Sequence, residues 1–362
     1  MKIAITGLAN SGKTTIFNAL TGLRVETTVY PTTGGEPNLG VVKVPDERID
    51  TLSGIFKPKK TTHSTVQYVD YMGLTKGDMK QNRSVFEFVK DSDALVHVVR
   101  AFEDPSVMHP LDSVDAVRDV ATVETELLFG DIELIDRRLE GMELGLKRGK
   151  KPNEDEKRVL LKCKEALDAE RPLRDVEFTE DEDKAVSHLQ FMSILPETVV
   201  LNIGEGDLNT ERAAKLQADV EAYYAGRKGV TVVTLSGKVE MDIAELAPDE
   251  ARVFLDDLGI KEPALHRLIK LSYANVGLIS FITAGEDEVR AWAIRKGTDA
   301  LHAAGKIHSD IQRGFIRAEV VSCEDFFRLG GFSEAREKGL LRLEGKTYEI
   351  KDGDIINFRF NV

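Results

Sequence analysis

Gly7-Leu8-Ala9-Asn10-Ser11-Gly12-Lys13-Thr14 stands between the apolar, strand-like run 2–6 and the helix-like run 15–20. In that context it matches a phosphate-binding loop, because its glycines let the backbone wrap around an anion and point N–H groups at it. Lys13 can reach the β- and γ-phosphates of a nucleotide, and the Thr14 hydroxyl can bind Mg²⁺. The alternative is a glycine turn without a ligand. We predict an α/β fold of the P-loop NTPase class with a nucleotide phosphate site at this loop.

Length and composition restrict the class of protein. A chain of 362 residues is too long for one ordinary core, so two or three domains are expected. The net charge of -13 argues against broad electrostatic attraction to nucleic acid or anionic membrane, but leaves room for local basic patches. Cys163 and Cys323 lack a second pair with which to form a metal cage, so we interpret them as idle thiols in a reducing compartment. With no leader-like segment and no apolar run of about 18 residues, we expect a cytoplasmic monomer without a membrane partner or DNA specificity.

Strand and helix signals alternate over much of the chain. Short apolar runs at 66–69, 94–99, 198–201 and 230–235 precede Gly/Asp-rich turns, and helical segments lie between them. This alternation predicts a mostly parallel sheet covered on both faces, as in a Ras-like G-domain.

Two segments depart from that alternation. Between 117 and 188, apolar residues recur near a 3.5-residue spacing amid charge, which predicts an inserted helical hairpin with its tip at the basic turn 147–152. An ordinary pair of packed helices is the alternative. From about 280 the period changes to two, which predicts a compact α+β module. The predicted domains are 1–116 and 191–279 for the two parts of the G-domain, 117–190 for the insertion and 280–362 for the C-terminal module.

Asp70-Tyr71-Met72-Gly73 ends the strand-like run 66–69, where a P-loop enzyme needs a second acid. Asp70 is predicted to hold Mg²⁺ through water, and the Gly73 N–H is free to approach the γ-phosphate. The pattern Asp-x-x-Gly also occurs in many surface turns. The prediction therefore depends on the position of this segment after a strand and after the phosphate loop.

Asn202-Ile203-Gly204-Glu205 follows the apolar run 199–201, the position at which a GTPase carries Asn-Lys-x-Asp to bind guanine. The Asp of that motif accepts two hydrogen bonds from guanine, and adenine lacks that pair of donors. With Ile203 in place of Lys and the longer Glu205 in place of Asp, the guanine clamp is degraded, which favours ATP over GTP. Ser236-Gly237-Lys238 is predicted to close over the base. A strand-ending turn is the alternative for 202–205.

At this point the sequence resembles the YchF or Obg-like ATPase subfamily of the Obg-related P-loop proteins, nearly from end to end. The resemblance rests on 10–21, 36–46 and 202–205, and on C-terminal stretches that resemble a TGS domain, a β-grasp module, at 283–285, 288–292, 303–308 and 314–319. It implies a G-domain with a helical insertion, a TGS domain, and association with ribosomes and RNA. Motifs and resemblance together predict nucleotide contacts at Asn10, Ser11, Gly12, Lys13, Thr14, Thr15, Gly73, Asn202, Ile203, Glu205, Ser236, Gly237 and Lys238, and Mg²⁺ contacts at Thr14, Asp70 and Thr33.

The sequence also departs from the family pattern. Gly34 stands where switch I of the family has its Mg²⁺- and γ-phosphate-sensing threonine, and a shift of one residue would let Thr33 replace it. Gly34 and Gly35 would loosen that loop, and the switch II segment 76–83 is shorter and carries one glycine. We interpret the chain as a divergent member, whose altered loops bear on the coupling to nucleotide state more than on nucleotide binding.

The residue after Asp-x-x-Gly is Leu74, where Ras-type enzymes have a water-orienting Gln. An apolar side chain cannot orient water, so slow intrinsic turnover is expected, with Leu74 as an apolar lid. The resemblance implies that a loop histidine substitutes, and His109 fits that spacing; a loop histidine without chemical role is the alternative. It also implies that Asn10 holds a K⁺ beside the phosphates. Two functions remain open: an ATPase that regulates translation or a stress response on the ribosome, or a nucleotide-gated ribosome- or RNA-binding module in which hydrolysis is residual.

Overall fold

The computed structural model describes residues 1–27 and 36–361, and the chain divides into two units. The first unit consists of Met1–Val42 and Gln67–Asn275, and the second of Lys43–Val66 and Val276–Val362.

The described residues form strands and helices in mixed order. The strands are β1 (Lys2–Thr6), β2 (Asn38–Lys43), β3 (Lys60–Thr62), β4 (Thr65–Asp70), β5 (Ala94–Ala101), β6 (Glu197–Ile203), β7 (Val230–Leu235), β8 (Leu278–Ala284), β9 (Glu288–Arg295), β10 (Phe315–Ser322), β11 (Arg342–Glu344) and β12 (Asp354–Phe360). The α-helices are α1 (Lys13–Thr21), α2 (Glu47–Phe56), α3 (Met79–Lys90), α4 (Ala116–Lys147), α5 (Glu154–Asp168), α6 (Glu180–Val186), α7 (Glu211–Tyr223), α8 (Gly237–Glu245), α9 (Pro248–Asp257), α10 (Ala264–Asn275), α11 (Ala300–Ile307), α12 (Ser309–Arg313), α13 (Cys323–Leu329) and α14 (Phe332–Glu337).

The sheet of the first unit has the strand order β2-β4-β1-β5-β6-β7. The pairs β1–β4, β1–β5, β5–β6 and β6–β7 are parallel, and every residue of β5 and β6 is buried, as in a sheet covered on both faces. This confirms the α/β P-loop fold predicted from the sequence. Because parallel strands end at the same edge, the segments after β1, β4, β5, β6 and β7 are brought together there, which is where open α/β sheets bind ligands.

The predicted helical hairpin is formed by α4 and α5, which pack around buried Ile135, Leu160 and Cys163. Each helix begins at a residue whose side chain accepts a backbone N–H of the first turn, Asp115 for α4 and Asn153 for α5. No helix among residues 1–27 and 36–361 is both long and apolar enough to span a bilayer, α4 included.

The second unit contains a mixed six-stranded sheet of order β11-β10-β12-β8-β9-β3. One face packs on α11 through a core that includes Phe281, Ala303 and Phe358. The opposite face is covered by α2, α13 and α14, with a core that includes Ile49, Leu52 and Phe326.

The borders of the second unit differ from those expected from sequence, which put 43–66 in the G-domain and began the C-terminal module at 280. The reason is tertiary pairing: the three-residue strand β3 pairs in parallel with β9, and α2 contributes Ile49 and Leu52 to the core of this sheet. Arg48 adds an ion pair with Asp352 at 2.7 Å. The strands β2 and β4 of the first sheet are therefore connected through a segment that belongs to the second unit.

Candidate nucleotide site

The loop between β1 and α1 is held by backbone conformations that favour glycine. Gly12, at φ 91°, lies directly before α1, and a Cβ there would lie 2.2 Å from the Asn202 Nδ2 atom. Substitution at Gly12 would therefore strain the loop and displace the amide of Asn202. The first N–H groups of α1 lie at this point, as an anion site requires.

Lys13 is buried and donates from Nζ to the Leu8 carbonyl at 2.7 Å, within its own loop. Burial lowers the pKa of Lys13 to about 8, and the neighbouring Asp70 carboxylate opposes part of that shift. A cation removed from water in this way gains strongly from an anionic ligand, because the phosphate restores the interactions that burial took away.

Thr14 and Asp70, two of the residues predicted from sequence to bind a metal, meet beneath the loop. Thr14 Oγ1 donates to Asp70 Oδ2 at 2.9 Å, and Asn38 Nδ2 lies 3.4 Å from the same oxygen. The other oxygen, Asp70 Oδ1, is buried and has no hydrogen-bond partner among the residues that the structure describes. Burial raises the pKa of this carboxyl, with Lys13 opposing the shift. A hydroxyl and a carboxylate with an unsatisfied oxygen are the hard donors that Mg²⁺ prefers. Thr33, the third predicted ligand, lies outside the described residues.

The Asp-x-x-Gly segment runs beside the phosphate loop. The Leu74 N–H donates to the Gly7 carbonyl at 3.0 Å, and a Cβ on Gly73 would lie 2.5 Å from the Ala9 nitrogen. Gly73 is therefore required for the close approach of two backbones.

The prediction that Leu74 covers the site as an apolar lid is wrong. Its side chain is 0% exposed and lies in the core of the first unit with Leu8, Val85, Val123 and Met192. The reason is strand-like pairing with Leu8 of the loop, with the Leu74 side chain packed among residues of α3 and α4.

The predicted base-binding segments lie side by side, and Asn202 joins them to the phosphate loop. Its Nδ2 donates to the Ser11 carbonyl at 3.0 Å, and its Oδ1 accepts the Gly237 N–H at 2.9 Å. Glu205 and Lys238 form an exposed ion pair at 3.5 Å. The carboxylate is therefore at the surface, where a base can reach it.

Not every predicted base contact is open to a ligand. The side chain of Ile203 is buried with Ala101 and Ala213, so Ile203 belongs to the core and not to the base pocket. The Ser236 hydroxyl is buried and, like that of Ser11, has no hydrogen-bond partner among the described residues. Thr15 is half-buried in the first turn of α1.

His109 follows β5 in the segment beside the phosphate loop, but both of its ring nitrogens are occupied. The Leu111 N–H donates to Nδ1 at 3.0 Å, so the neutral ring carries its proton on Nε2 and donates it to Asp119 Oδ2 at 2.8 Å. Arg118 binds the other oxygen of Asp119 through Nε and Nη2. The expectation that His109 faces the attacking water is therefore not met in this conformation.

The segment that carries His109 is attached to the loop predicted to hold K⁺. Asn10 Nδ2 donates to the Met108 carbonyl at 3.0 Å. Arg100 donates to the carbonyls of Phe102, Asp104 and Val107. These bonds fix the segment against the first unit and engage the Asn10 amide in a protein contact.

Comparison with known proteins covers the whole chain. The profile of the family described as a 50S ribosome-binding GTPase matches residues 2–128, and the profile named for the C-terminal part of the YchF GTPases, described as a protein of unknown function, matches residues 278–361. The ribosome-binding ATPase YchF of Bacillus subtilis is 41% identical over 99% of this chain and 98% of its own length. The chain belongs to the YchF family. The protein of the same name from Escherichia coli O157:H7 is 38% identical over 100% of this chain and 99% of its own.

A solved YchF structure has the same fold. The YchF GTPase of Schizosaccharomyces pombe superposes with a TM-score of 0.81 at 27% identity, over 99% of this chain and 97% of its own. The surroundings of His109 in this YchF protein were not found from sequence: Asp119 looks like an ordinary first-turn acid of α4, and Arg100 like a strand residue. A His followed ten residues later by an Asp at a helix start was the available signal.

Proposed function

We propose that this protein binds a Mg²⁺-nucleotide at the loop 7–14 and hydrolyses its β–γ phosphoanhydride, with ATP preferred over GTP, in association with ribosomes. The arrangement of Lys13, Thr14 and Asp70 carries the proposal, because a buried cation and an unsatisfied buried carboxylate face one loop. Relatives of equal length named ribosome-binding ATPases support the substrate and the partner. Because ribosomes are found in the cytoplasm, we expect this protein to act there. It would regulate translation or a stress response. We also assign the C-terminal module to the TGS class.

Each residue has a definite part in this scheme. The N–H groups of the loop and Lys13 would neutralise the phosphates, and Thr14 and Asp70 would hold the metal. Mg²⁺, when bound, offsets the charge that develops on the β- and γ-phosphate oxygens. Asn202 would keep the base segments in register with the phosphate loop, since its amide already bonds to both.

The base-binding segments favour adenine because they lack a fixed contact to guanine. The carboxylate at the position of the guanine-binding Asp is Glu205, one methylene longer and paired with exposed Lys238. A bidentate contact to guanine requires fixed geometry, and a long exposed side chain does not supply it. ATP preference is therefore a consequence of a weakened guanine contact, with GTP as a second substrate.

Activation of the attacking water is the step for which the site residues are least suited in this conformation. Leu74 belongs to the core and His109 is bound to Asp119, so slow intrinsic hydrolysis is expected, with His109 acting only after it leaves Asp119 and the Leu111 N–H. A K⁺ at Asn10 would require the amide to exchange Met108 for the ion. The engaged state of His109 favours the second candidate function, a nucleotide-gated ribosome-binding module in which hydrolysis is residual.

Single-turnover hydrolysis with and without purified ribosomal subunits, for ATP and GTP side by side, tests both candidates, with Lys13→Ala as the inactive control. Stimulation by ribosomes with ATP preferred supports the ATPase. Ribosome binding that depends on nucleotide without stimulated turnover supports the gated module. Absence of ATP binding by the wild type refutes both. Replacing K⁺ by Na⁺ in the same assay tests the ion at Asn10.

A further inference from the structure

A buried carboxylate of the helix α4 holds the segment that follows Asp-x-x-Gly. Glu126 is 3% exposed; its Oε1 accepts the Gly77 N–H at 2.7 Å, and its Oε2 accepts the Asn82 Nδ2 group at 2.9 Å. The buried Asn82 amide in turn bonds to both backbone groups of Thr75. Its Oδ1 accepts the Thr75 N–H at 2.9 Å, and its Nδ2 donates to the Thr75 carbonyl at 2.8 Å. One side chain of α4 therefore fixes the backbone of residues 75–82.

The other end of this segment is fixed to the phosphate loop. The Leu74 N–H donates to the Gly7 carbonyl at 3.0 Å, and Gly73 lies so close to Ala9 that a Cβ would come within 2.5 Å of its nitrogen. The Gly73 N–H is the group predicted to approach the γ-phosphate. Because the chain is held on both sides of Leu74, this donor has a defined position before a nucleotide binds.

The carboxylate of Glu126 is an expensive way to hold a turn. Within residues 1–27 and 36–361 no ion pair includes Glu126, and the bonds that satisfy it come from one backbone N–H and one amide. Burying a carboxylate without a cation costs stability that an apolar side chain at the same place would not. Departures of this kind from the most stable choice are expected at functional sites.

Glu126 belongs to a stripe of α4 that also contacts the two other residues considered for hydrolysis. Asp119, Val123 and Glu126 are spaced by four and three positions, so they lie on one face of the helix. Asp119 binds His109, and Val123 packs in the same core as Leu74. One face of one helix therefore sets the positions of the segments that follow β4 and β5.

We propose that Glu126 is a positioning residue for the γ-phosphate of the nucleotide. By fixing 75–82 through Gly77 and Asn82, it holds the Gly73 N–H where that group can donate to the γ-phosphate. A donor that is already in place loses little entropy when the ligand binds and need not reorganise during the reaction. ADP has no γ-phosphate, so Glu126 matters for ATP and not for ADP. The inference rests on the proposed function and adds to it a residue outside the predicted nucleotide and metal contacts.

The test compares Glu126→Ala and Glu126→Gln with the wild type in the full-length protein. Equilibrium titration with Mg²⁺ measures the affinity for ADP and for a non-hydrolysable ATP analogue, and single-turnover ATP hydrolysis is followed in parallel. Loss of a hydrogen bond to a charged group weakens binding by about tenfold or more, so Glu126→Ala should lose about that factor for the ATP analogue and none for ADP. Turnover should fall as well. Glu126→Gln keeps an acceptor for the Gly77 N–H but not for Asn82, so its affinity and turnover should be intermediate.

Asp131→Ala is the matched control. Asp131 is a buried carboxylate of the same helix, and it also accepts two N–H groups, those of Met192 and Ser193, at 2.9 and 2.8 Å. Its removal should lower the stability toward urea, as Glu126→Ala does. It should leave the ratio of the two nucleotide affinities unchanged, because Met192 and Ser193 are not among the predicted nucleotide contacts.

Each outcome decides the proposal. A loss of ATP-analogue affinity and of turnover with ADP binding retained, in the Glu126 variants alone, supports it. Equal losses for the ATP analogue and ADP, or the same selective loss in Asp131→Ala, would show that Glu126 acts only through the stability of the first unit and would overturn it. A folded Glu126→Ala protein that binds both nucleotides like the wild type also overturns it, while the proposed function stands. If Glu126→Ala does not fold, Glu126→Gln decides by the same comparison. A wild type that binds neither nucleotide refutes the proposed function and this inference with it.

Discussion

Replacing Leu74 by Gln tests whether this position belongs to the core or orients the attacking water. Gln at this position is the residue that Ras-type enzymes use, but Leu74 is 0% exposed here among apolar side chains. The substitution removes apolar burial worth about 1.5–3 kcal/mol and leaves a buried amide unpaired, which costs about 1–3 kcal/mol more. The first unit should therefore lose about 2.5–6 kcal/mol of stability.

Urea unfolding followed by fluorescence or circular dichroism measures this loss. With a slope of about 2 kcal/mol per molar urea, the midpoint for the first unit should fall by roughly 1.3–3 M. Leu74→Met is the matched control, because a volume-conserving apolar change usually costs less than about 1.5 kcal/mol. Single-turnover ATP hydrolysis by folded Leu74→Gln should not rise. A variant as stable as the wild type that hydrolyses ATP faster would refute the assignment of Leu74 to the core.

Further changes test the remaining parts of the site. Lys13→Ala should weaken ATP binding by about 1.5–3 kcal/mol or more, through loss of a charge-assisted contact to phosphate, while circular dichroism shows an intact fold; unchanged affinity would remove the phosphate site. Equilibrium titration with labelled nucleotides should give tighter binding for ATP than for GTP, and Glu205→Asp should narrow the difference; a wild type that prefers GTP contradicts this. His109→Ala should lower ribosome-stimulated turnover by about 10²–10⁴-fold with little change in ATP affinity. Asp119→Asn weakens the hydrogen bond that holds His109 and should therefore raise this turnover. Equal single-turnover rates for wild type and His109→Ala would exclude the histidine from the reaction. Deleting 280–362 should expose Ile49 and Leu52, which pack in that core, so limited proteolysis should cut within 43–66; a protease-resistant segment there would contradict the assignment of 43–66 to the second unit.

Local sequence was sufficient to predict the loop between β1 and α1 as a phosphate site and to name candidate metal ligands. A glycine-bounded loop between a strand and a helix fixes its own conformation within eight residues, so roles for Lys13 and Thr14 could be proposed without knowledge of the rest. Asp70 required one further step, because parallel strands end at the same edge of a sheet. The chemistry of both segments follows from residue type, and the structure brings them to 2.9 Å.

The orientation of side chains around that site depended on distant contacts. Leu74 and His109 have the same sequence signals whether they face the nucleotide or the protein. Val123 and Met192 turn Leu74 inward, and Asp119 holds His109. The core partners of Leu74 are distant in the chain, and the spacing of ten residues between His109 and Asp119 does not say which way the histidine faces, so both pairings are fixed only when the sheet and α4 assemble.

The sequence by itself determined the fold class and the helical hairpin with its basic tip, and it predicted a phosphate loop and a second acid, because each depends on short-range periodicity or on residues adjacent in the chain. Only the tertiary structure decided that 43–66 belongs with the C-terminal module, since β3 is three residues long, too short for a periodic signal, and becomes a strand by pairing with β9. It likewise decided that Ile203 and Leu74 are core residues. Whether a side chain is buried depends on the residues that pack against it. A sequence reveals those residues only when they are neighbours in the chain.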